Sequence, residues 1–166
     1  MANRSQTAAT RRTVKVPKFK QKFSGRVLLL GCGSVSQCLQ PLLLRHLDMD
    51  FRKLTVRDFE DLRSKIPDTL AAGATYSRSR ITRENIATLL GKHVGPGDLL
   101  IDLACNIDAA TILQWCHDNG VLYINTSVEE WEPYANAQAT PPTERTLYYR
   151  HRLLRRQVAT WIERGP

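Results

Sequence analysis

Short apolar runs alternate with amphipathic stretches along most of the chain, which is the pattern of parallel strands joined by crossover helices. Residues 26–30 (Arg-Val-Leu-Leu-Leu) read as a buried first strand, 31–34 as a turn and 35–47 as a helix interrupted by Pro41, where a kink is expected. A second strand covers 53–56 and ends at Arg57-Asp58. The spacing then predicts helix over 59–72, a stop at Gly73 and a short strand over 74–76. Thr82 is placed to cap a helix over 83–92, and Gly95-Pro-Gly97 forces a loop. Residues 98–105 give a fourth strand. Asp108 can cap a helix over 109–119, which Gly120 ends, and 121–125 supply a fifth strand.

Past Pro133 the chain turns polar and proline-containing, and an Arg-rich helix is predicted over 146–163. Its apolar residues, among them Leu153, Val158 and Trp161, find little in the preceding sequence to pack on. An absent following domain is therefore expected to cover them, with a fold-back onto the sheet as the alternative. The expected organisation is a basic arm over 1–25, a nucleotide-binding domain over 26–132, and a linker and helix over 133–166 leading towards an absent catalytic domain.

At 166 residues and 42% hydrophobic composition the chain suffices for one core. No apolar run approaches the roughly 18 residues a membrane span needs, so a soluble, cytoplasmic protein is expected. Mapping the charge changes its meaning. The 24 Lys and Arg against 16 acids give +8, but eight of the cations (Arg4, Arg11, Arg12, Lys15, Lys18, Lys20, Lys22 and Arg26) lie in 1–26 with no acid. The remainder of the chain is neutral. The arm has little apolar content and is expected to be disordered; a nucleic-acid or anionic-surface contact and a cleaved transit peptide are the alternatives to a solvated leader. Four cysteines, Cys32, Cys38, Cys105 and Cys116, form no Cys-x-x-Cys pair, so neither disulfide nor metal is expected, and Cys38 and Cys116 suit core positions.

The chemistry concentrates at Gly31-Cys-Gly33-Ser-Val-Ser36, which follows a strand and opens a helix. That context predicts a Rossmann-type, doubly wound parallel α/β sheet. Gly31 permits the tight turn, Gly33 lets backbone approach a pyrophosphate, and the helix start at Ser34 and Val35 offers amides to the anion. Ser36 replaces the usual third glycine and should push the helix out slightly. Asp58, 27 residues beyond Gly31, is the candidate for the adenosine ribose hydroxyls and favours NAD over NADP, while Arg57 and Arg52 keep a 2′-phosphate possible. A turn without ligand, and an acid that only caps a helix, are the alternatives.

In open α/β sheets the ligand lies beyond the carboxyl ends of the strands, which places residues 104–108 and 125–131 at the nicotinamide end. Ala104, Cys105 and Thr126 are the cofactor candidates there. Through 27–46, Ile81-Thr-Arg-Glu-Asn85, and Gly120-Val-Leu-Tyr-Ile-Asn-Thr-Ser-Val-Glu129 with Trp131, the sequence resembles the homospermidine synthases, which belong with the saccharopine dehydrogenase-like proteins. The resemblance implies bound NAD and a reaction without net redox change. Hydride passes from putrescine to NAD and returns after the imine has lost ammonia and captured a second amine.

It further implies Glu129 as an ammonium-binding carboxylate and Asn106 as a second substrate contact, with no catalytic residue assigned. The chain departs from the family pattern at Asn106, where Asp is expected, and at Asp102, where Asn is expected. A neutral amide at 106 holds an ammonium less strongly than a carboxylate. The resemblance also implies a homo-oligomer at full length and an inactive fragment on its own. A saccharopine-dehydrogenase-like oxidoreductase, which would want Arg near the nicotinamide for its dicarboxylate, and a non-catalytic NAD-sensing module are the competing readings.

Overall fold

A computed structural model describes residues 20–135 and 138–162. In chain order the elements are β1 (Gln21–Lys22), β2 (Val27–Leu30), α1 (Ser34–His46), β3 (Leu47–Asp48), β4 (Leu54–Asp58), α2 (Pro67–Ala71), β5 (Thr75–Arg78), α3 (Ile86–His93), β6 (Leu99–Asp102), α4 (Ala109–Asp118), β7 (Leu122–Asn125) and α5 (Leu147–Ile162). β2, β4, β5, β6 and β7 form one parallel sheet in the order β5-β4-β2-β6-β7. The order reverses at β2. Both its neighbours reach Leu30, through Arg57 of β4 and Asp102 of β6, so the phosphate turn leaves the sheet at its switch point.

The central strand is apolar throughout because both of its faces are covered. Val27 and Leu29 pack with Leu54, Val56 and Ile101 under Leu39 and Leu43 of α1 and Leu70 of α2. Leu28 and Leu30 pack with Leu100 under Ile86, Leu89 and Leu90 of α3 and Ile112 and Cys116 of α4. Each fully buried leucine contributes about 1.5–3 kcal/mol to this two-sided core. No helix of the described residues is long and apolar enough to cross a membrane.

The chain departs from the sequence expectations where side chains compete with regular structure. Within 59–72 a single 3-10 turn over Arg63–Lys65 and the short α2 form in place of one helix. Asp58 accepts the Glu60 amide at 2.9 Å and Asp61 the Arg63 amide at 3.3 Å, and these turns replace α-helical bonding until Pro67 opens α2. Thr82 does not cap the next helix: its own amide donates to Asn85 Oδ1 at 2.9 Å, and α3 begins at Ile86. Asp108 does cap α4, accepting the Thr111 amide at 2.6 Å. α1 runs through Pro41 on its exposed side, where water can take the carbonyl that proline leaves unpaired.

Much of the basic arm, residues 1–19, lies outside the described residues, but Gln21 and Lys22 pair in parallel with Leu47 and Asp48, so this end of the arm is ordered by the chain leaving α1. Cys38 is exposed, whereas Cys116 is buried as expected. α5 is not left without a partner. Trp161 stacks on His117 of α4 with centroids 3.9 Å apart, Gln157 donates to Gln114 at 3.1 Å, and Arg150 pairs with Glu130 at 2.9 Å. These contacts lay α5 against α4 and the loop after β7, while Leu147 and Leu153 stay exposed.

Candidate functional site

The turn after β2 is shaped by two glycines with different causes. Gly31 has φ +86°, and a Cβ there would lie 2.7 Å from the Leu103 carbonyl oxygen and 2.9 Å from the Ala104 amide nitrogen, so no side chain fits between β2 and β6. Gly33 has an ordinary extended backbone, φ −68° and ψ −171°, and among the described residues nothing lies within 4 Å of where its Cβ would be. Protein packing does not require glycine at 33. The missing side chain keeps clear a space in front of the α1 N-terminus, which no side chain caps and where amides and the helix dipole favour an anion.

Beneath the turn, Ser36 and Gln40 are buried, and the Gln40 amide donates to Ser36 Oγ at 3.1 Å. The hydroxyl at the third-glycine position is thus held in a hydrogen bond inside the helix. Burial raises the pKa of the Cys32 thiol, which fits a packed and inert group. The Cys32 amide donates to Asp58 Oδ2 at 2.6 Å and the Glu60 amide to Oδ1 at 2.9 Å. Asp58 therefore locks the turn to β4, and each oxygen retains a further lone pair for a hydroxyl.

A cleft of about 450 Å³ runs along the carboxyl ends of β5, β4, β2 and β6. Of the predicted cofactor residues, Gly31, Gly33, Asp58, Ala104 and Cys105 line it, as does Asn106. Ser34 and Val35 begin α1 outside that lining, Val35 being 56% exposed, and Thr126 is exposed beyond β7. Phe59, Leu62, Ser79, Arg80 and Ile81 also line the cleft, and sequence reasoning missed them. Their signal was present, since they follow the carboxyl ends of β4 and β5.

Of the two arginines weighed for a 2′-phosphate, Arg52 is held elsewhere in a bidentate pair with Asp50, both exposed, at 2.9 and 3.1 Å. Arg57 reaches the cleft but is buried, bonded to Ser79 Oγ and 2.9 Å from His93 Nε2. Burial and then Arg57 lower the His93 pKa, so the ring is neutral and accepts from the guanidinium.

At the opposite end the two predicted substrate residues meet. Asn106, at φ +57°, donates its backbone amide to Glu129 Oε2 at 3.2 Å, and the Ser127 hydroxyl donates to Glu129 Oε1 at 2.8 Å. The Glu129 carbonyl also accepts the Ala109 amide at the start of α4. This carboxylate ties the loop after β6 to the loop after β7.

Behind that loop Asp102 is buried, accepting from Tyr123 Oη at 3.0 Å and from the Ala104 amide at 3.2 Å. Burial, with a smaller contribution from Glu129, pushes its pKa up to about 6, against the Tyr123 and Ala104 hydrogen bonds. A folded-state pKa above the ordinary carboxylate value means that the native chain binds the extra proton. Wild-type stability is thus highest below about pH 4 in this respect and is lost as pH rises to about 6. Asp102→Asn keeps both hydrogen bonds, with the hydroxyl of Tyr123 accepting from the amide. It is expected to stabilise the chain by about 1–2 kcal/mol at pH 7–8 relative to wild type, and the gain should vanish below pH 4. Urea unfolding of both proteins across that range measures it, and a pH-independent difference would contradict the assignment.

Comparison with known proteins bears on the same region. The profile of the family described as "Saccharopine dehydrogenase NADP binding domain" matches residues 27–166. The chain is 30% identical over 130 residues to the homospermidine synthase of Blastochloris viridis, covering 76% of this chain and 27% of that protein. It is 29% identical over 113 residues to that of Mesorhizobium japonicum, covering 66% and 23%. Among solved structures, homospermidine synthase from Legionella pneumophila in complex with NAD superposes with a TM-score of 0.64 at 29% identity, over 68% of this chain and 24% of the other. The chain thus spans about a quarter of the length of these relatives.

Proposed function

The chain belongs to the saccharopine dehydrogenase NADP-binding domain family, and from that premise we propose that it binds NAD across the turn after β2 and forms the cofactor-binding part of a homospermidine synthase. The observation that carries this reading is Gly33, a position where the protein itself leaves room for a side chain and the sequence provides none. A pyrophosphate over Gly33 meets the open start of α1, and an adenosine ribose then lies beside Asp58. NAD bound in this way supplies a reversible hydride acceptor at the cleft end lined by Ala104, Cys105 and Asn106.

Calorimetric titration with NAD and NADP tests the cofactor reading. Wild type should bind NAD more tightly by about tenfold, because a 2′-phosphate brings negative charge towards Asp58. Asp58→Asn removes the charge, keeps an acceptor for the Cys32 amide, and should narrow the difference. Tighter binding of NADP by wild type would overturn the ribose role of Asp58.

For the whole protein the proposed activity is homospermidine formation from putrescine, in a soluble cytoplasmic homo-oligomer. The likeness to the two bacterial homospermidine synthases supports it. Glu129 is proposed to bind an ammonium of the diamine, using lone pairs left free by Ser127 and Asn106. Glu129→Gln keeps size and both loop contacts, since the amide can donate to Ser127 and its oxygen accept from Asn106. In a full-length synthase with this sequence, kcat/KM for putrescine should fall roughly tenfold while NAD affinity is unchanged. Normal turnover by the variant would leave Glu129 with only the loop contacts.

A further inference from the structure

Asp102 ends β6 two residues before Ala104, which lines the cleft, and only 4% of it is exposed. None of the ion pairs among the described residues includes it. Three titratable groups face it. Tyr123 of β7 donates its hydroxyl to Oδ2 at 3.0 Å, Glu129 lies in the loop after β7, and Cys116 of α4 has its thiol pushed up to about 12 by burial and then by Asp102 itself. On the neighbouring strand β2 its register partner is Leu30, and the residues of α3 packed on the same face, Ile86, Leu89 and Leu90, are apolar. No cation stands among these groups.

Hydrogen bonding by itself does not require a carboxylate here. An asparagine would meet the Ala104 amide and the Tyr123 hydroxyl as well, without the cost of burying an ionised acid at neutral pH. The fold thus carries a charge for which it has no need. Its placement indicates what uses it. Asp102 Oδ1 accepts the Ala104 amide and Glu129 Oε2 the Asn106 amide, each at 3.2 Å, so both ends of the 104–106 segment are bonded to carboxylates. In the poorly polarisable surroundings of Asp102, its field on that segment is weakly screened.

Ala104, Cys105 and Asn106 line the cleft end assigned above to the hydride-accepting ring. That ring is a cation in NAD+ and neutral in NADH, whereas the rest of the dinucleotide is the same in both. A negative charge behind the segment distinguishes the two forms and little else. Resting on the cofactor reading above, we propose that Asp102 sets the balance between oxidised and reduced cofactor: ionised, it favours NAD+ over NADH, and protonated, it loses that preference. Burial pushes its pKa up to about 6, so the preference is expected to fade below about pH 5 and to be complete above about pH 7.

The test is calorimetric titration of the full chain with NAD+ and with NADH at about pH 5 and about pH 8. In wild type the ratio of the two affinities should move towards NAD+ by about fivefold as pH rises. In Asp102→Asn, which keeps the size and both hydrogen bonds, the ratio should stay constant. Tyr123→Phe removes the hydrogen bond that favours the ionised form, so the midpoint of the shift should move to higher pH. A role in packing alone would not move it. Thermal melting of both variants checks that they are folded. A wild-type ratio independent of pH, or a shift kept in full by Asp102→Asn, overturns the proposal and leaves the cofactor reading standing. Binding of neither form at either pH overturns both.

Discussion

Gly33→Val should leave the chain folded and lower its affinity for NAD by about a hundredfold, close to 3 kcal/mol. Two observations separate the effects. The backbone at 33 is extended, a conformation valine adopts readily, and no described atom stands within 4 Å of the new Cβ. The stability cost is then confined to exchanging glycine for a poorer N-cap, about 1 kcal/mol. The space the isopropyl group enters is the one a pyrophosphate needs in order to reach the α1 amides. Calorimetric titration of both proteins, with a melting curve for each, measures the two effects independently. Equal NAD affinity would remove the phosphate role of the turn, however well the variant folds.

The neighbouring glycine should behave in the opposite way. Gly31→Ala is expected to destabilise the chain by about 3 kcal/mol, a fall in Tm of roughly 10 °C. Part of the cost is the φ of +86°, where an L side chain is strained by about 1 kcal/mol or more. The larger part is collision with the Leu103 carbonyl and the Ala104 amide. These are backbone atoms of the segment leaving β6 and cannot rotate aside. Relief would require parting β2 from β6, against the Leu103 amide bonded to the Leu30 carbonyl at 2.9 Å. Loss of cofactor binding should accompany the change. A variant that melts like wild type would show that the two segments do not approach so closely.

These two glycines look alike in the sequence and differ only in the fold. The Gly-x-Gly spacing after an apolar run was enough to place the turn, because a strand, a turn and a helix start are local and each is written in consecutive residues. Asp108 as the cap of α4 and Gly120, at φ +64°, as its stop were legible for the same reason. Residues 59–72 misled because helical spacing of apolar residues carries no account of what Asp58 and Asp61 do with nearby amides. Thr82 misled likewise: its hydroxyl bonds to the Glu84 carboxylate instead of a helix amide, and its own amide donates to the Asn85 carboxamide, which bonds back to the loop lining the cleft.

By itself, then, the sequence determined the alternation of strands and helices, the two-sided burial of β2, the phosphate turn and the acid at the end of β4, since all of these depend on neighbours in the chain or on hydrophobic period. Only the tertiary structure decided which strand ends share a cleft. It set Arg80 over Phe59, brought Glu129 to the Asn106 amide, buried Asp102 beneath Tyr123, and laid Trp161 on His117. Those pairings join residues far apart in the chain, and they depend on strand order and helix placement, which local propensity and periodicity do not encode.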